Sequence, residues 1–373
     1  MRTRRRLLFL FVVFTYFPLA HDGLTAYKVV GAGLAITVLL TVVTRRRQRA
    51  IIDRYTIALV IVLYSGLLGA IDFGDINLFY LQKIAMNIVL FIAVAETTTQ
   101  ISDCRLVLRA IAIGGLINVL FGVLNVPLDA TERVGGLLDN ANGFGQVCAQ
   151  TGLALVGLGS TARRAGWRWL SFGAVAPCIL GLLHSASRGS SVSLLCGLLV
   201  LALLGSTRRA ALVLAILAVL IVALLSPQQY FDRWQSAFTA KNSRRESGLE
   251  RRIELSVEGY LQFRRSPVFG VGPGNVMESM RRSGVIHVQV THNAFAQVLA
   301  ETGAVGTLAF LFVVLSSLRN LLAVARSRLW RARDRVVPAT VLALFVAVIV
   351  GQMSSGNYIH TVWYVLFGMG HGM

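Results

Sequence analysis

Residues 291–312, THNAFAQVLAETGAVGTLAFLF, decide how this chain folds. A polar mouth, Thr291, His292 and Asn293, opens onto a run apolar enough to cross a bilayer, which takes about 20 such residues. Thr291 is the expected N-cap of a helix starting at His292. Glu301 stands nine residues after His292. That puts it about 180° around the helix and ~13 Å deeper, in a buried structural pair and off the face of His292.

Runs of the same kind recur along all 373 residues. The chain is 55% hydrophobic, only 14% charged, and has a mean hydropathy of +0.67. A soluble domain of this size cannot hide so much apolar surface. The apolar windows fall near 7–20, 26–43, 51–70, 79–95, 106–124, 141–160, 169–186, 190–205, 210–226, 291–318, 336–353 and 359–371. They predict an all-α integral membrane protein of about twelve spans. Arg2–Arg6 followed by Leu7–Phe17 resembles a signal peptide, but with so many spans behind it an uncleaved first helix is expected. Cys104, Cys148, Cys178 and Cys196 form no CxxC pair and read as small buried hydrophobes.

The net charge of +19 comes almost entirely from arginine. A nucleic-acid binder would line a soluble face with these cations. Here most stand in short runs between apolar windows, as the positive-inside rule produces. Arg2–Arg6, Arg45–Arg49, Arg105 with Arg109, Arg163–Arg168, Arg208 with Arg209, and the run 319–335 all fall on one side if twelve helices alternate. That side is expected to be cytoplasmic, with both termini. The chain then divides into helices over 1–226, a long arginine-rich extracytoplasmic loop over 227–290, and helices over 291–373. The loop breaks the charge rule, carrying Arg233, Arg244, Arg245, Arg251, Arg252, Arg264, Arg265, Arg281 and Arg282. Long loops escape that rule, so topology permits these arginines without explaining them. Within the loop, Leu249–Phe263 alternates as an amphipathic helix suited to a membrane surface. Ser266-Pro267 ends it, and GVGPGN over 270–275 is a tight turn.

Several residues on the loop side have the chemistry of a transfer site. His292 titrates near neutrality and, beside fixed cations, stays neutral and able to take a proton from a hydroxyl. A capping or packing histidine is the plainer alternative. Arg188, in the turn SASRGSS, is an arginine near the apolar zone and so a functional candidate, with snorkelling to headgroups as its rival. Guanidinium forks at Arg251, Arg252, Arg264 and Arg265 match phosphate oxygens. Lys83, inside the fourth window, either snorkels outward or joins the same cationic pocket. Arg133, Asn140 and Asn142 in RVGGLLDNANGFG, together with Asn293, offer hydrogen bonds to sugar hydroxyls; helix capping is the competing role of the asparagines. No DxD, HExxH or GxxxxGK[ST] motif is present, so neither a metal nor a nucleotide cofactor is expected.

With ERRIELSVEGYLQFRRSPVFGVGPGN leading into THNAFAQVLAETGAVGTLAF, and with RVGGLLDNANGFG and SASRGSS upstream, the chain resembles the O-antigen ligase and polymerase family of bacterial envelopes. The resemblance covers most of the chain and implies a GT-C-like bundle of about twelve spans. It implies transfer of a glycan from undecaprenyl pyrophosphate at the periplasmic face of the bacterial inner membrane; the absent metal motifs add independence of a metal, and direct attack at the anomeric carbon most simply gives inversion. The acceptor is a lipid A-core hydroxyl for a ligase and another glycan for a polymerase. On that resemblance His292 corresponds to the catalytic base, and Arg188 and Arg252 to the arginines on the pyrophosphate. Arg251 and Arg265 are added from local charge, and Lys83 as a candidate member of the same cationic pocket. The family helix carries a tryptophan where this chain has Glu254–Ser256, which leaves the register of Arg251 against Arg252 open. A flippase or transporter of lipid-linked glycan is the non-enzymatic rival; it predicts ionisable residues along a midplane path.

Overall fold

A computed structural model describes residues 2–16, 20–21, 24–25, 30–31, 33, 36, 53–125, 133–138, 140–204, 250–285, 288–327, 330–331, 334–355 and 357–373. Its helices are α1 (Arg2–Tyr16), α2 (Arg54–Phe73), α3 (Leu78–Thr97), α4 (Ile101–Leu124), α5 (Ala141–Thr161), α6 (Ala165–Gly173), α7 (Val175–Ser185) and α8 (Arg188–Leu204). They continue with α9 (Glu250–Arg265), α10 (Val276–Arg282), α11 (Ala294–Arg326), α12 (Val336–Ser355) and α13 (Thr361–Gly372). A minimal hairpin pairs Ala20–His21 with Leu24–Thr25. The window 26–43 apart from residues 30, 31, 33 and 36, the window 210–226, and the loop arginines Arg233, Arg244 and Arg245 lie outside the described residues. Every other apolar window coincides with a helix.

Six segments are long and apolar enough to cross a membrane: 54–73, 78–97, 101–124, 165–185, 294–326 and 336–354. The chain is a multi-pass membrane protein. α5 is different: it is buried on nearly every side and carries Gln146, Gln150 and Thr151 inside the bundle. Buried polar side chains need partners. Gln150 accepts from the hydroxyl of Tyr16, and Gln146 donates to Ser190 and Ser193, 3.2 Å to each. α5 is therefore the axis around which α4, α6, α7, α8 and α12 assemble, with α1 packed on α4.

Ion pairs show which helix ends lie together. Arg5 meets Asp103 at 2.7 Å, and Arg105 meets Asp334 at 2.5 Å. Asp53, the N-cap of α2, lies 3.5 Å from His371 near the end of α13. One end of the bundle thus gathers the start of α1, the start of α4 and the segment before α12, as the alternation of arginine runs predicts. The opposite end gathers the starts of α3, α5, α8, α11 and α13.

The apolar run at 291–318 differs from its expected form in two ways. Asn293, not Thr291, is the N-cap: its Oδ1 accepts from the amides of Phe295 at 3.0 Å and Ala296 at 3.3 Å, and the helix starts at Ala294. Thr291 instead is buried against Gly259 of α9. The helix is also broken at Gly303, where φ is 61° and ψ −164°. Only glycine adopts such a conformation without strain. The break frees backbone groups that the 267–272 segment takes up. Val271 and Gly272 donate to the carbonyls of Ala300 and Glu301, 2.9 Å each, and Ala304 donates to Pro267 at 2.8 Å. Gly69 of α2 lets this segment approach, since a Cβ there would stand 2.4 Å from the Phe269 carbonyl. The arginine-rich α9 and its following turn are in this way stitched into the membrane bundle.

Candidate functional site

The amphipathic helix expected over Leu249–Phe263 is α9, Glu250–Arg265. It presents two distinct polar sides. Leu255 and Gln262 are buried, Gln262 accepting from Ser279 of α10 at 2.6 Å. Ile253, Val257, Tyr260 and Leu261 form an exposed apolar stripe, the face a bilayer surface would cover. Arg251 and Arg265 open with Glu258 and Ser283 onto a cavity of about 470 Å³, and Arg251 also pairs with Glu254 at 3.1 Å. Arg252, one residue on and about 100° around the helix, points a different way. Its charge acts on His292.

His292 sits just before α11 with φ of 51°, in the left-handed region. Among the described residues only one other non-glycine residue, Ala186, has positive φ (45°). Such conformations cost free energy in ordinary residues and concentrate at functional sites. Both stand inside the polar motifs, Ala186 two residues before Arg188. The His292 side chain is half-buried. Burial, and secondarily the Arg252 guanidinium, hold its pKa below the ordinary imidazole value. It is a neutral imidazole at neutral pH, able to accept a proton.

Arg188 begins α8. The turn before it is tightly built: the Ser187 and Ser190 hydroxyls are 2.9 Å apart, and the Arg133 guanidinium donates to the Ser185 carbonyl at 2.9 Å. Gly189 abuts Ser354 at the end of α12. Arg188 therefore shares the end of the bundle where α11 starts and α12 finishes. Arg133 also donates to Asn142 Oδ1 at 2.8 Å. Asn140 caps α5, accepting from the amides of Asn142 and Gly143 at 3.0 Å each. The side chains of Arg133, Asn140, Asn142 and Asn293 thus all have structural bonds within the chain.

Lys83 lies in the second turn of α3, near His360. Desolvation of the imidazole, followed by the Lys83 charge, pulls its pKa down. His360 caps α13, and the Phe295 and Trp363 rings, 6.4 Å apart, set the starts of α11 and α13 side by side. His360 was missed in the sequence because nothing local distinguishes it from a loop histidine. Glu301 is buried and takes a 3.0 Å bond from Gln297 one turn earlier, as its position on the helix suggested.

These features define a multi-pass membrane protein with arginines, a lysine and two histidines towards one end of a helical bundle. Residues 173–311 match the O-antigen ligase family. The matched segment runs from the end of α6 through Arg188, α9 and His292 into α11. It supports glycosyl transfer of the O-antigen ligase or polymerase type. No curated protein matches the chain.

Proposed function

We propose that the protein transfers a glycan from undecaprenyl pyrophosphate to a lipid A-core hydroxyl at the periplasmic face of a bacterial inner membrane. The observation that carries this reading is the half-buried, neutral His292 beside Arg252. Arg188 and Arg252 hold the pyrophosphate oxygens of the donor, with Lys83 adding positive charge. His292 removes the proton from the acceptor hydroxyl. The acceptor oxygen bonds to the anomeric carbon from the face opposite the pyrophosphate. The bond from that carbon to the phosphate oxygen breaks, and undecaprenyl pyrophosphate leaves with the electron pair, inverting the centre. Guanidinium groups, not a metal ion, meet the leaving group's charge. Arg251 and Arg265, on their separate cavity, serve glycan or headgroup contacts.

The test is reconstitution with a polyprenyl-pyrophosphate glycan and two acceptors, lipid A-core and free repeat unit. Product on lipid A-core that disappears in His292→Asn supports the ligase. Elongation of the repeat unit alone makes the protein a polymerase of the same family. Movement of the glycan across the membrane without consumption of the donor makes it a transporter.

A further inference from the structure

At the end of the bundle away from His292, a cavity of about 810 Å³ opens between α4, α5 and α6. α11, whose 33 residues span about 50 Å, separates the two ends. The cavity has two chemically different parts. Ile113, Leu116, Leu155 and Leu158 line an apolar channel along α4 and α5. Arg109, Arg163 and Arg164 rim its mouth. All three are exposed, and among the described residues none forms an ion pair and no carboxylate lines the cavity. Arg105 lies there too, but Asp334 neutralises it.

α6 flanks the cavity through Trp167, Leu170 and Ser171 and exposes Trp167 (60%), Trp169 (70%) and Leu170 (61%). Trp167 and Trp169, at the start of the 165–185 span and beside Arg164 and Arg168, belong at the level of lipid headgroups, where indole rings concentrate. The rim is therefore at phosphate depth and the channel at acyl depth.

We propose that this cavity is a binding site for one anionic phospholipid. Its phosphate takes bidentate bonds from Arg163, Arg164 and Arg109, and an acyl chain lies along the channel formed by Ile113, Leu116, Leu155 and Leu158. A zwitterionic lipid carries an ammonium that the three guanidinium groups repel, so the site selects by net headgroup charge. The inference is independent of the transfer reaction assigned to the other end.

The experiment uses the full chain in detergent, native mass spectrometry, and two probes of equal chain length, phosphatidylglycerol and phosphatidylcholine. Wild type should retain phosphatidylglycerol about 100-fold better, as expected for three arginines near the surface at about fivefold each. Arg163→Gln/Arg164→Gln, both at exposed positions that the core does not need, should lower that preference to about fivefold, the share of Arg109. Arg319→Gln/Arg326→Gln removes the same charge from exposed positions of α11 towards the same end and should leave the wild-type preference intact. Equal retention of both lipids by wild type overturns the site. So does a preference undiminished in Arg163→Gln/Arg164→Gln, and so does a control pair that lowers it as far, which makes the attraction diffuse.

Discussion

Arg252, in the first turn of α9, lies close enough to His292 that its guanidinium disfavours the imidazolium, adding to the larger effect of the histidine's own burial. An element of the polar loop thus sets the protonation of a residue at the mouth of a membrane helix. The consequence can be measured. In the folded protein the His292 pKa is lowered, so the neutral base persists below the ordinary imidazole value. The acid limb of the rate profile should therefore fall below about pH 6.5. Arg252→Gln removes one of the two causes and should move that limb upward. The linkage has the matching sign. The unfolded chain binds the proton first, so the His292 contribution to stability is present above about pH 6.5 and lost as pH falls towards the folded pKa. A profile unmoved by Arg252→Gln would separate the two residues.

The backbone at His292 offers a second handle. Its φ of 51° is one that asparagine tolerates and glycine adopts freely. His292→Asn should keep the fold and lose transfer. His292→Gly should raise the melting temperature, through about 1 kcal/mol of relieved strain, and be equally inactive. Thermal unfolding and glycan transfer, measured on the same preparations, read both effects. Activity in His292→Asn would remove the imidazole from the chemistry.

At Gly303 the expectation concerns assembly. A Cβ there would stand 2.4 Å from the Val268 carbonyl, in a conformation closed to side chains. Gly303→Ala should cost about 3 kcal/mol or more and detach the 267–272 segment from α11. Because that segment carries α9, protease sensitivity in 250–285 should rise before the membrane helices are lost. Gly284→Ala is the comparison. Its φ of 79° is also unfavourable, but no atom stands within 4 Å of the added Cβ, so its effect should be smaller and confined to its own turn.

The membrane helices were legible because burial in lipid leaves long apolar runs that local composition cannot hide. α9 was legible for the opposite reason: its charges and its Ile253, Val257, Tyr260 and Leu261 stripe repeat at helical spacing. What escaped the sequence depends on contacts between distant residues. A glycine inside an apolar run reads as a tolerated helix residue, and Gly303 becomes a break only because Pro267 and Val268 supply carbonyls to Ala304 and Val305. Thr291 and Asn293 are both capping residue types; burial of Thr291 against Gly259 leaves the cap to Asn293. Arg251 and Arg252 are neighbours in the chain, and only the way α9 packs decides which of them acts on His292. His360 and Lys83 are far apart in sequence and meet through the packing of α13 on α3.

Arg133 decides between two roles that the sequence left open. Its guanidinium bridges the Ser185 carbonyl and Asn142 Oδ1, three residues before Arg188 and at the start of α5. If it acts by positioning, Arg133→Ala loosens the turn that presents Arg188, and the transition-state contact suffers while glycan binding does not. The expected result is a fall in kcat of about tenfold, the worth of a charged hydrogen bond, with KM for donor and acceptor unchanged. Asn142→Ala leaves the bond to Ser185 in place and should have a smaller effect. If Arg133 instead grips sugar hydroxyls, KM rises and kcat holds. The split between kcat and KM is diagnostic because Arg188 is proposed to act on the pyrophosphate as the bond breaks, whereas a glycan contact is made equally in the ground state.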